Sequence, residues 1–324
     1  MPKEAKFAKK TFNFYDIDNS FIIFKSINNT TYIAFSTNDS IILYNLNLQQ
    51  IQNVIKNAHE NYMTSFRHCL YKNKDIIMTV SPSENNIKLW DISDWKNLTN
   101  IKNVNDHNKL YSACFLNYNN QNYILSSNID INFEEEAERI KVFDMKGTKI
   151  KEINNSEDHT CFIDIYYDNN YSKYYIITGN LNYVKSYEYE NNDLYHKYDR
   201  NSNGLHICVI LYNEENITKM IESCINDQFI RIWDFHNSNL LKIITTNSRG
   251  ILGICLYNEN FLFAGDYEGN ILLIDIGKSQ IINSIEGHES RVCSIKKLLH
   301  PLYGECLISQ GWLSGPLKLW IINK

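Results

Sequence analysis

The sequence predicts an all-β protein built from seven similar repeats, each with four short antiparallel strands. A short alternating apolar run that usually ends in an aromatic residue recurs along the chain at nearly constant spacing. The runs around it span four to seven residues, are rich in β-branched and aromatic side chains, and are bounded by Asn, Asp, Ser or Gly. Such runs are typical of strands. No segment keeps a helical apolar period, so we expect helices to be nearly absent.

The recurring run marks the third strand of each repeat. Its copies are IILYN (41–45), IKLWD (87–91), IKVFD (140–144), VKSYE (184–188), IRIWD (230–234), ILLID (271–275) and LKLWI (317–321). Their fourth positions are Tyr44, Trp90, Phe143, Tyr187, Trp233, Ile274 and Trp320, separated by 46, 53, 44, 46, 41 and 46 residues. A length of 324 residues alone would suggest two domains. The repeats instead predict one domain over residues 10–324, preceded by a basic tail, residues 1–9.

The other strands of each repeat flank this run. First strands include LYSACFL (110–116) and ILGICLY (251–257), second strands IIMTVS (76–81) and FLFAGD (261–266), and fourth strands KIKEI (149–153) and LLKII (240–244). Seven four-stranded units predict a seven-bladed β-propeller. The last repeat ends straight after its third strand. We therefore expect residues 11–15 to complete the last blade, which removes two exposed sheet edges.

The motifs resemble those of the WD40-repeat family over essentially the whole chain. IKLWD and IRIWD carry the resemblance, together with Asp227 and the dipeptides Ala58-His59, Asp106-His107, Asp158-His159 and Gly287-His288. The resemblance implies a hydrogen-bonded His, Ser or Thr, Asp and Trp in each blade. The structural repeat residues on this basis are His59, Trp90, Asp91, His107, Phe143, Asp144, His159, Asp227, Trp233, Asp234, Asp266, His288 and Trp320.

No blade carries all four of these residues. Blade 2 has His59, Ser81 and Trp90 with Glu84 or Asn85 in place of Asp; blade 3 has His107, Ser126, Asp130 and Phe143; blade 5 has Ser223, Asp227 and Trp233 without an entry His; blade 7 has His288, Ser309 and Trp320 without an Asp. A partly satisfied buried polar network destabilises a fold. We therefore expect apolar packing between blades to supply most of the stability.

Composition limits the classes of function. The net charge is −5, and only six of the 32 basic residues are Arg, which disfavours binding to nucleic acid. No apolar run is long enough to span a membrane, and the N-terminus does not resemble a secretory signal. The eight Cys contain no C-x-x-C pair, so we expect reduced core thiols in a cytoplasmic protein.

The sequence carries no recognisable catalytic motif. It lacks G-x-S-x-G, a P-loop and an EF-hand loop, and His288-Glu289 is followed by Val292 where a zinc-binding H-E-x-x-H needs a second His. We expect no enzyme activity, no cofactor and no metal. The alternatives that stay open are an enzyme on a propeller scaffold, a phosphoinositide-binding module and a substrate receptor.

One insertion interrupts the repeat spacing, in blade 3 between its second and third strands. The segment NIDINFEEEAER (128–139) carries Phe133, Glu134, Glu135 and Glu136. On the face expected to bind partners, these residues would attract a basic segment, with Phe133 as an anchor. The alternative is a solvated loop, as most charge runs are.

Further candidate binding residues lie on the same expected face. Tyr62, Lys109, Arg249 and Arg291 are placed before first strands, and Tyr267 and Trp312 in turns between second and third strands. Arg, Tyr and Trp are enriched at binding hot spots, although an ordinary polar rim would look similar. The leading hypothesis is a non-enzymatic scaffold or adaptor for a protein or peptide partner. We expect a monomeric propeller within a larger complex.

Asparagine is unusually abundant, with 45 Asn against 12 Gly. Tight turns need residues that tolerate left-handed backbone conformations, and Asn does so better than most non-Gly residues. The sequence therefore predicts that Asn takes the place of Gly in many turns.

Overall fold

The computed structural model describes residues 7–11, 17–37, 39–102, 108–130, 140–153, 159–199, 204–312 and 316–322. These residues form 28 strands and no helix. In the described part of the chain, no helix has the length and apolar character needed to cross a membrane.

The strands form seven four-stranded antiparallel sheets, which are the blades of a seven-bladed β-propeller. This confirms the predicted fold class. Two compact units divide the chain. We call Ser20–Lys197 the four-blade unit and Tyr198–Lys324 with Met1–Asn19 the three-blade unit.

Blades 1 to 4 run in chain order from first to fourth strand. Blade 1 has β2 (Ile17–Lys25), β3 (Thr31–Thr37), β4 (Ser40–Asn45) and β5 (Gln50–Ile55); blade 2 has β6 (Ser65–Tyr71), β7 (Lys74–Ser81), β8 (Asn86–Asp91) and β9 (Lys96–Lys102). Blade 3 has β10 (Asn108–Tyr118), β11 (Gln121–Asp130), β12 (Ile140–Asp144) and β13 (Lys149–Ile153); blade 4 has β14 (Thr160–Asp168), β15 (Lys173–Asn180), β16 (Tyr183–Glu188) and β17 (Leu194–Asp199).

Blades 5 and 6 keep this order. Blade 5 has β18 (Cys208–Glu214), β19 (Ile217–Ser223), β20 (Phe229–Asp234) and β21 (Leu240–Thr245); blade 6 has β22 (Ile251–Asn258), β23 (Phe261–Asp266), β24 (Asn270–Asp275) and β25 (Gln280–Glu286). The last sheet takes three strands from the end of the chain and one from its beginning: β26 (Val292–His300), β27 (Gly304–Gly311), β28 (Leu317–Ile322) and β1 (Phe7–Thr11).

The N-terminal strand that pairs with β28 lies earlier in the chain than predicted. Phe7 stands opposite Ile322 and Thr11 opposite Lys318. The predicted segment, residues 11–15, shares only Thr11 with β1, and residues 12–15 lie outside the described residues. The difference has a simple origin in the sequence: TFNFY alternates apolar and polar residues, whereas the paired FAKKT has two adjacent lysines. Period-2 alternation alone therefore favours the wrong segment.

Apolar clusters fill the spaces between neighbouring blades within each unit. Between blades 2 and 3, Ile76 and Leu89 belong to one buried cluster with Leu110 and Ile124. Between blades 6 and 7, Phe263 packs with Val292 and Trp320. These clusters agree with the expectation that packing between blades carries much of the stability.

Asparagine does replace glycine in the turns. Among the described residues, 18 non-Gly residues have a positive φ, whereas only three Gly do. Eleven of the 18 are Asn, at positions 29, 57, 73, 85, 119, 120, 182, 192, 216, 226 and 247. The side chain of Asn can bond its local backbone, which makes the left-handed region accessible to it.

Close contact between blades 6 and 7 makes Gly265 hard to replace. A Cβ at Gly265 would lie 2.6 Å from Val292 Cγ1 and 2.7 Å from Val292 O. We expect Gly265→Ala to lower the free energy of unfolding by about 1–3 kcal/mol, because the strands must separate. Urea denaturation measures the change. Gly277→Ala is the control: its Cβ would meet only Asp275 Oδ1, at 3.3 Å. Equal stabilities of the two variants would contradict this account.

Candidate functional site

A chain of hydrogen bonds joins three segments of blade 2. Thr79 Oγ1 accepts the Trp90 Nε1–H at 2.9 Å and lies 2.7 Å from His59 Nε2. On the other side of the ring, His59 Nδ1 lies 2.9 Å from Glu84 Oε2. Because an ionised carboxylate can only accept, Nδ1 carries the proton and the Thr79 hydroxyl donates to Nε2. His59 thus links the second strand of blade 2 to the turn that follows this strand.

The charge of Glu84 is held by Lys88 from the third strand. Lys88 Nζ lies 2.9 Å from Glu84 Oε2 and donates to the Ala58 carbonyl at 2.7 Å. Burial alone would raise the pKa of Glu84, but hydrogen bonds from Lys88, the Glu60 N–H and other donors lower it to about 2. Glu84 therefore takes the place of the missing Asp, one of the two residues that the sequence left open.

Blade 7 repeats this arrangement without an acidic residue. Ser309 Oγ lies 2.7 Å from His288 Nε2 and accepts the Trp320 Nε1–H at 2.7 Å. Lys318 Nζ donates to the Gly287 carbonyl at 2.6 Å. A third-strand lysine thus donates to the carbonyl of the residue before the entry histidine, as Lys88 does in blade 2. Sequence reasoning missed this contact, although the basic residue recurs two positions before the aromatic one.

Blade 5 corrects the prediction that it lacks an entry histidine. His206 fills this role, and its Nδ1 lies 2.8 Å from Glu222 Oε2. Trp233 Nε1 donates to Glu222 Oε1 at 3.3 Å. Arg231 pairs with Asp227 and lies 3.6 Å from Glu222 Oε1. Burial would lower the pKa of Arg231, but the carboxylates of Glu222 and Asp227 raise it.

The serines predicted for blades 2 and 5 are also wrong. The partner of Trp90 is Thr79, not Ser81, and the partner of Trp233 is Glu222, not Ser223. In blades 2, 5 and 7 the partner stands 11 residues before the Trp. That constant spacing could have identified the partners from the sequence. In blade 3 the strand register places Ser126, as predicted, at the position of Thr79.

The aspartates at the ends of third strands cap the turns that follow them. Asp91 Oδ1 accepts the Ser93 N–H, Asp144 Oδ1 the N–H groups of Lys146 and Thr148, and Asp234 Oδ1 those of His236 and Asn237. Asp266 does the same at the end of a second strand, for Asn270.

Phe143 lies in a buried cluster with Ile124, and His159 directly precedes β14. His107 lies outside the described residues.

Three of the predicted binding residues meet in the three-blade unit. The guanidinium carbon of Arg291 lies 4.2 Å from the centroid of the Tyr267 ring and 4.8 Å from that of Trp312. Two aromatic rings thus contact one cation, an arrangement that is favourable in itself. We call Tyr267, Arg291 and Trp312 the arginine–aromatic cluster. The sequence predicted binding residues at these three positions but not the contact of Arg291 with both rings.

Backbone contacts hold the two rings in place. The carbonyl of Gly269, in the turn that carries Tyr267, accepts the N–H groups of Gly287 and His288. Gly269 has φ +94, and a Cβ there would lie 2.3 Å from His288 O, so only Gly fits. On the other side, the Trp312 N–H donates to the Arg291 carbonyl at 2.8 Å. The cluster therefore rests on ordered strand ends.

Arg249 lies beside a surface cavity of the same unit. The cavity has a volume of about 600 Å³ and is lined by Asn226, Asp227, Gln228, Phe229, Asn247, Ser248 and Arg249. Glu268 accepts hydrogen bonds from the Ser248 hydroxyl and from the Arg249 N–H. This carboxylate is therefore held by the backbone segment before β22, and the Arg249 side chain is exposed.

The remaining candidates belong to the four-blade unit. Tyr62 is 43% exposed and its carbonyl accepts the Ser81 hydroxyl. Lys109 lies within β10 and not before it, because this strand begins at Asn108, two residues earlier than predicted. The blade 3 candidates Phe133, Glu134, Glu135 and Glu136 lie outside the described residues.

The cysteines are free thiols with packing roles. No two of the eight are bonded to each other. Burial raises the pKa of Cys208 to about 11 and that of Cys293 to about 12. Cys208 Sγ donates to the Leu252 carbonyl at 2.8 Å. In the described part of the chain, no group of His, Cys, Asp and Glu is arranged to hold a metal ion.

The order Thr79, His59, Glu84 matches the hydroxyl, imidazole and carboxylate of a hydrolytic triad. However, Thr79 is completely buried and its oxygen already accepts the Trp90 N–H. A nucleophile must reach the substrate. This triad of residues therefore acts as a structural support.

The shared hydroxyl of blade 2 can be tested by its removal. Thr79→Val leaves Trp90 Nε1 and His59 Nε2 without a buried partner, so we expect the free energy of unfolding to fall by about 1–3 kcal/mol. Thr79→Ser keeps the hydroxyl and should recover most of this loss. Chemical denaturation of both variants gives the comparison. Equal destabilisation by Val and Ser would mean that the methyl group matters and the hydrogen bonds do not.

Burial of His59 predicts a loss of stability in acid. Burial lowers the pKa of His59 from 6.5 to about 4, so the unfolded chain binds a proton at a higher pH than the native protein. Stability is therefore complete above pH 6.5 and falls towards pH 4, by on the order of 3 kcal/mol from this residue. NMR titration of the ring, and unfolding of His59→Gln across the same pH range, measure the effect. A ring that titrates near 6.5 would contradict it.

No protein-family model matches the sequence, and no curated protein is detectably similar to it. Among solved structures, the chain is similar to the β-propeller domain of Cps50 (Swd1) from Myceliophteria thermophila, with a TM-score of 0.71 and 12% identity. The alignment covers 98% of this chain and 100% of that one. Together with the seven four-stranded sheets, this similarity shows that the chain has a seven-bladed β-propeller fold.

Proposed function

We propose that the chain is a non-enzymatic scaffold or adaptor that binds partner proteins within a multiprotein complex. The arginine–aromatic cluster carries this proposal. Arg, Tyr and Trp are the residue types that most often dominate binding energy at protein interfaces. Here one of each is gathered in turns at the ends of packed strands. Rigid support of this kind lowers the entropy lost when a partner binds.

The proposal specifies the kind of partner as a protein or peptide. A net charge of −5 and only six Arg among the 32 basic residues support a ligand other than nucleic acid. The same proposal includes a cytoplasmic location and no membrane ligand. It also includes a monomeric propeller that joins a larger complex. The adjacent-arginine motif of phosphoinositide-binding propellers is missing from the sequence, which argues against that alternative.

An enzyme on a propeller scaffold is the second candidate function. One observation favours it, the triad-like order of Thr79, His59 and Glu84. The complete burial of Thr79 argues against catalysis at this place. Fold similarity does not decide between the two functions, because one fold supports many chemistries.

The blade 3 insertion supplies a second proposed contact. Phe133, Glu134, Glu135 and Glu136 would bind a basic segment of a partner through charge attraction and an aromatic anchor. This contact rests on the sequence alone, since these residues lie outside the described ones.

Purification of the tagged chain from its own cells tests the scaffold function. We expect stable partners in fixed stoichiometry, identified by mass spectrometry, and loss of at least one partner in the double variant Tyr267→Ala, Trp312→Ala. Leu48→Ala is the control, because Leu48 is 61% exposed and lies in the four-blade unit. Charge reversal of Glu134, Glu135 and Glu136 tests the proposed basic partner in the same assay. A purified chain that turns over a small molecule and retains no partner would contradict the proposal.

A further inference from the structure

The arginine–aromatic cluster leaves Arg291 with a free hydrogen-bonding edge. Both aromatic rings lie against the guanidinium, at 4.2 Å and 4.8 Å from its central carbon to their centroids. Rings offer no conventional acceptor, so the five N–H donors are not used by these contacts. Among the described residues, no oxygen accepts a hydrogen bond from this guanidinium. Its side chain is only partly exposed, so water does not surround it completely.

A comparison with the other described arginines shows that this is a specific feature. Arg231 is buried and paired with Asp227. Arg67 donates to the Phe66 carbonyl and lies 4.0 Å from Asp164. Arg249 and Arg291 have no such partner among the described residues, and both precede the first strand of a blade, in neighbouring blades 6 and 7. The two guanidinium groups without an acidic partner therefore lie near the starts of neighbouring first strands, where Gly250, the residue after Arg249, has the register position of Arg291.

One carboxylate in the turn that carries Tyr267 is already engaged. Glu268 accepts hydrogen bonds from the Ser248 hydroxyl and the Arg249 N–H. It follows Tyr267 in the same turn, which the Gly269 carbonyl ties to Gly287 and His288. Glu268 thus belongs to the local backbone structure, and the positive charge of Arg291 is left for an external group.

The chemistry of the site indicates a carboxylate ligand. A guanidinium edge matches a carboxylate in geometry, and such paired N–H···O bonds are among the strongest in proteins. The two rings cover part of the guanidinium and hold the side chain, which strengthens an ion pair and reduces its entropy loss. Next to Arg249, the cavity of about 600 Å³ is lined by Asn226, Gln228 and Asn247, whose amides can bond a peptide backbone.

We propose that Arg291, in contact with the rings of Tyr267 and Trp312, anchors an acidic segment of a partner protein, with Arg249 as the second positive contact. This inference rests on the proposed scaffold function and names the chemistry of one partner. The chain as a whole repels such a segment, because its net charge is −5. Binding of an acidic peptide therefore depends on this local surface and not on general attraction.

Fluorescence anisotropy with labelled peptides and the full chain tests the proposal. The probes are an Asp/Glu-rich peptide, its Asn/Gln counterpart, and the Asn/Gln peptide with a single phosphoserine. We expect the acidic peptide to bind, the neutral one not to bind, and affinity to fall as salt is raised, because screening weakens ion pairs. Binding of the phosphoserine peptide alone would overturn the carboxylate assignment.

Single substitutions identify the residues responsible. Arg291→Gln should weaken binding of the acidic peptide by about tenfold or more, which corresponds to about 1.4 kcal/mol. Arg291→Lys keeps the charge but loses the planar fork, so we expect only partial recovery. Lys278→Gln is the matched control, an exposed cation in the turn after β24 whose Nζ lies 3.3 Å from Asp275. It should change affinity by less than about twofold.

The possible outcomes separate this inference from the proposed function. Unchanged urea denaturation of Arg291→Gln shows that the variant is folded, so lost binding then supports the inference. Equal affinity of Arg291→Gln and wild type for the acidic peptide would overturn it. If Arg291→Gln also retained every partner captured by the wild-type chain, the scaffold function would stand without an acidic anchor at this site.

Discussion

One hydroxyl group on the second strand joins three parts of a blade. In blades 2 and 7 it lies within hydrogen-bond distance of the entry histidine and accepts the indole N–H of the third strand. These groups are buried, and an unpaired polar group there would be strongly destabilising. All partners therefore have to be present together. The segment that follows His288 is fixed in this way, so the position of Arg291 depends indirectly on Ser309 and Trp320.

Blade 5 shows how much this arrangement can vary. Glu222 replaces the hydroxyl, and a carboxylate in that place introduces a buried charge that needs compensation. Arg231, which also pairs with Asp227, supplies it, and the imidazole of His206 lies beside the same carboxylate. Blade 2 reaches the same end with Lys88 and Glu84. The common requirement is a basic partner for each buried carboxylate, whereas the residue types differ among blades.

The repeat spacing was sufficient to predict seven blades, because strand length and turn composition follow directly from local sequence. It also placed His59, His288, Trp90 and Trp320 correctly. The hydrogen-bond partners of Trp90 and Trp233 were harder to predict. Ser81 and Ser223 match the residue type that the WD40 resemblance implies, but Thr79 and Glu222 make the contacts. The strand register decides which of two residues close in the sequence faces the indole, and the composition of the strand does not reveal the register. The contact of Arg291 with two rings brings together turns that are far apart in the sequence, and the repeat spacing does not reveal such contacts.

The asparagine-rich turns also have a consequence for the unfolded chain. Glycine at a left-handed position gives the unfolded state many backbone conformations, all of which are lost on folding. Asparagine at 11 such positions removes much of that freedom beforehand, at a small steric penalty in the native state. The polypeptide thus begins folding from a narrower ensemble than a glycine-rich propeller would. Part of the stability of the blades therefore has its origin outside any contact in the folded structure.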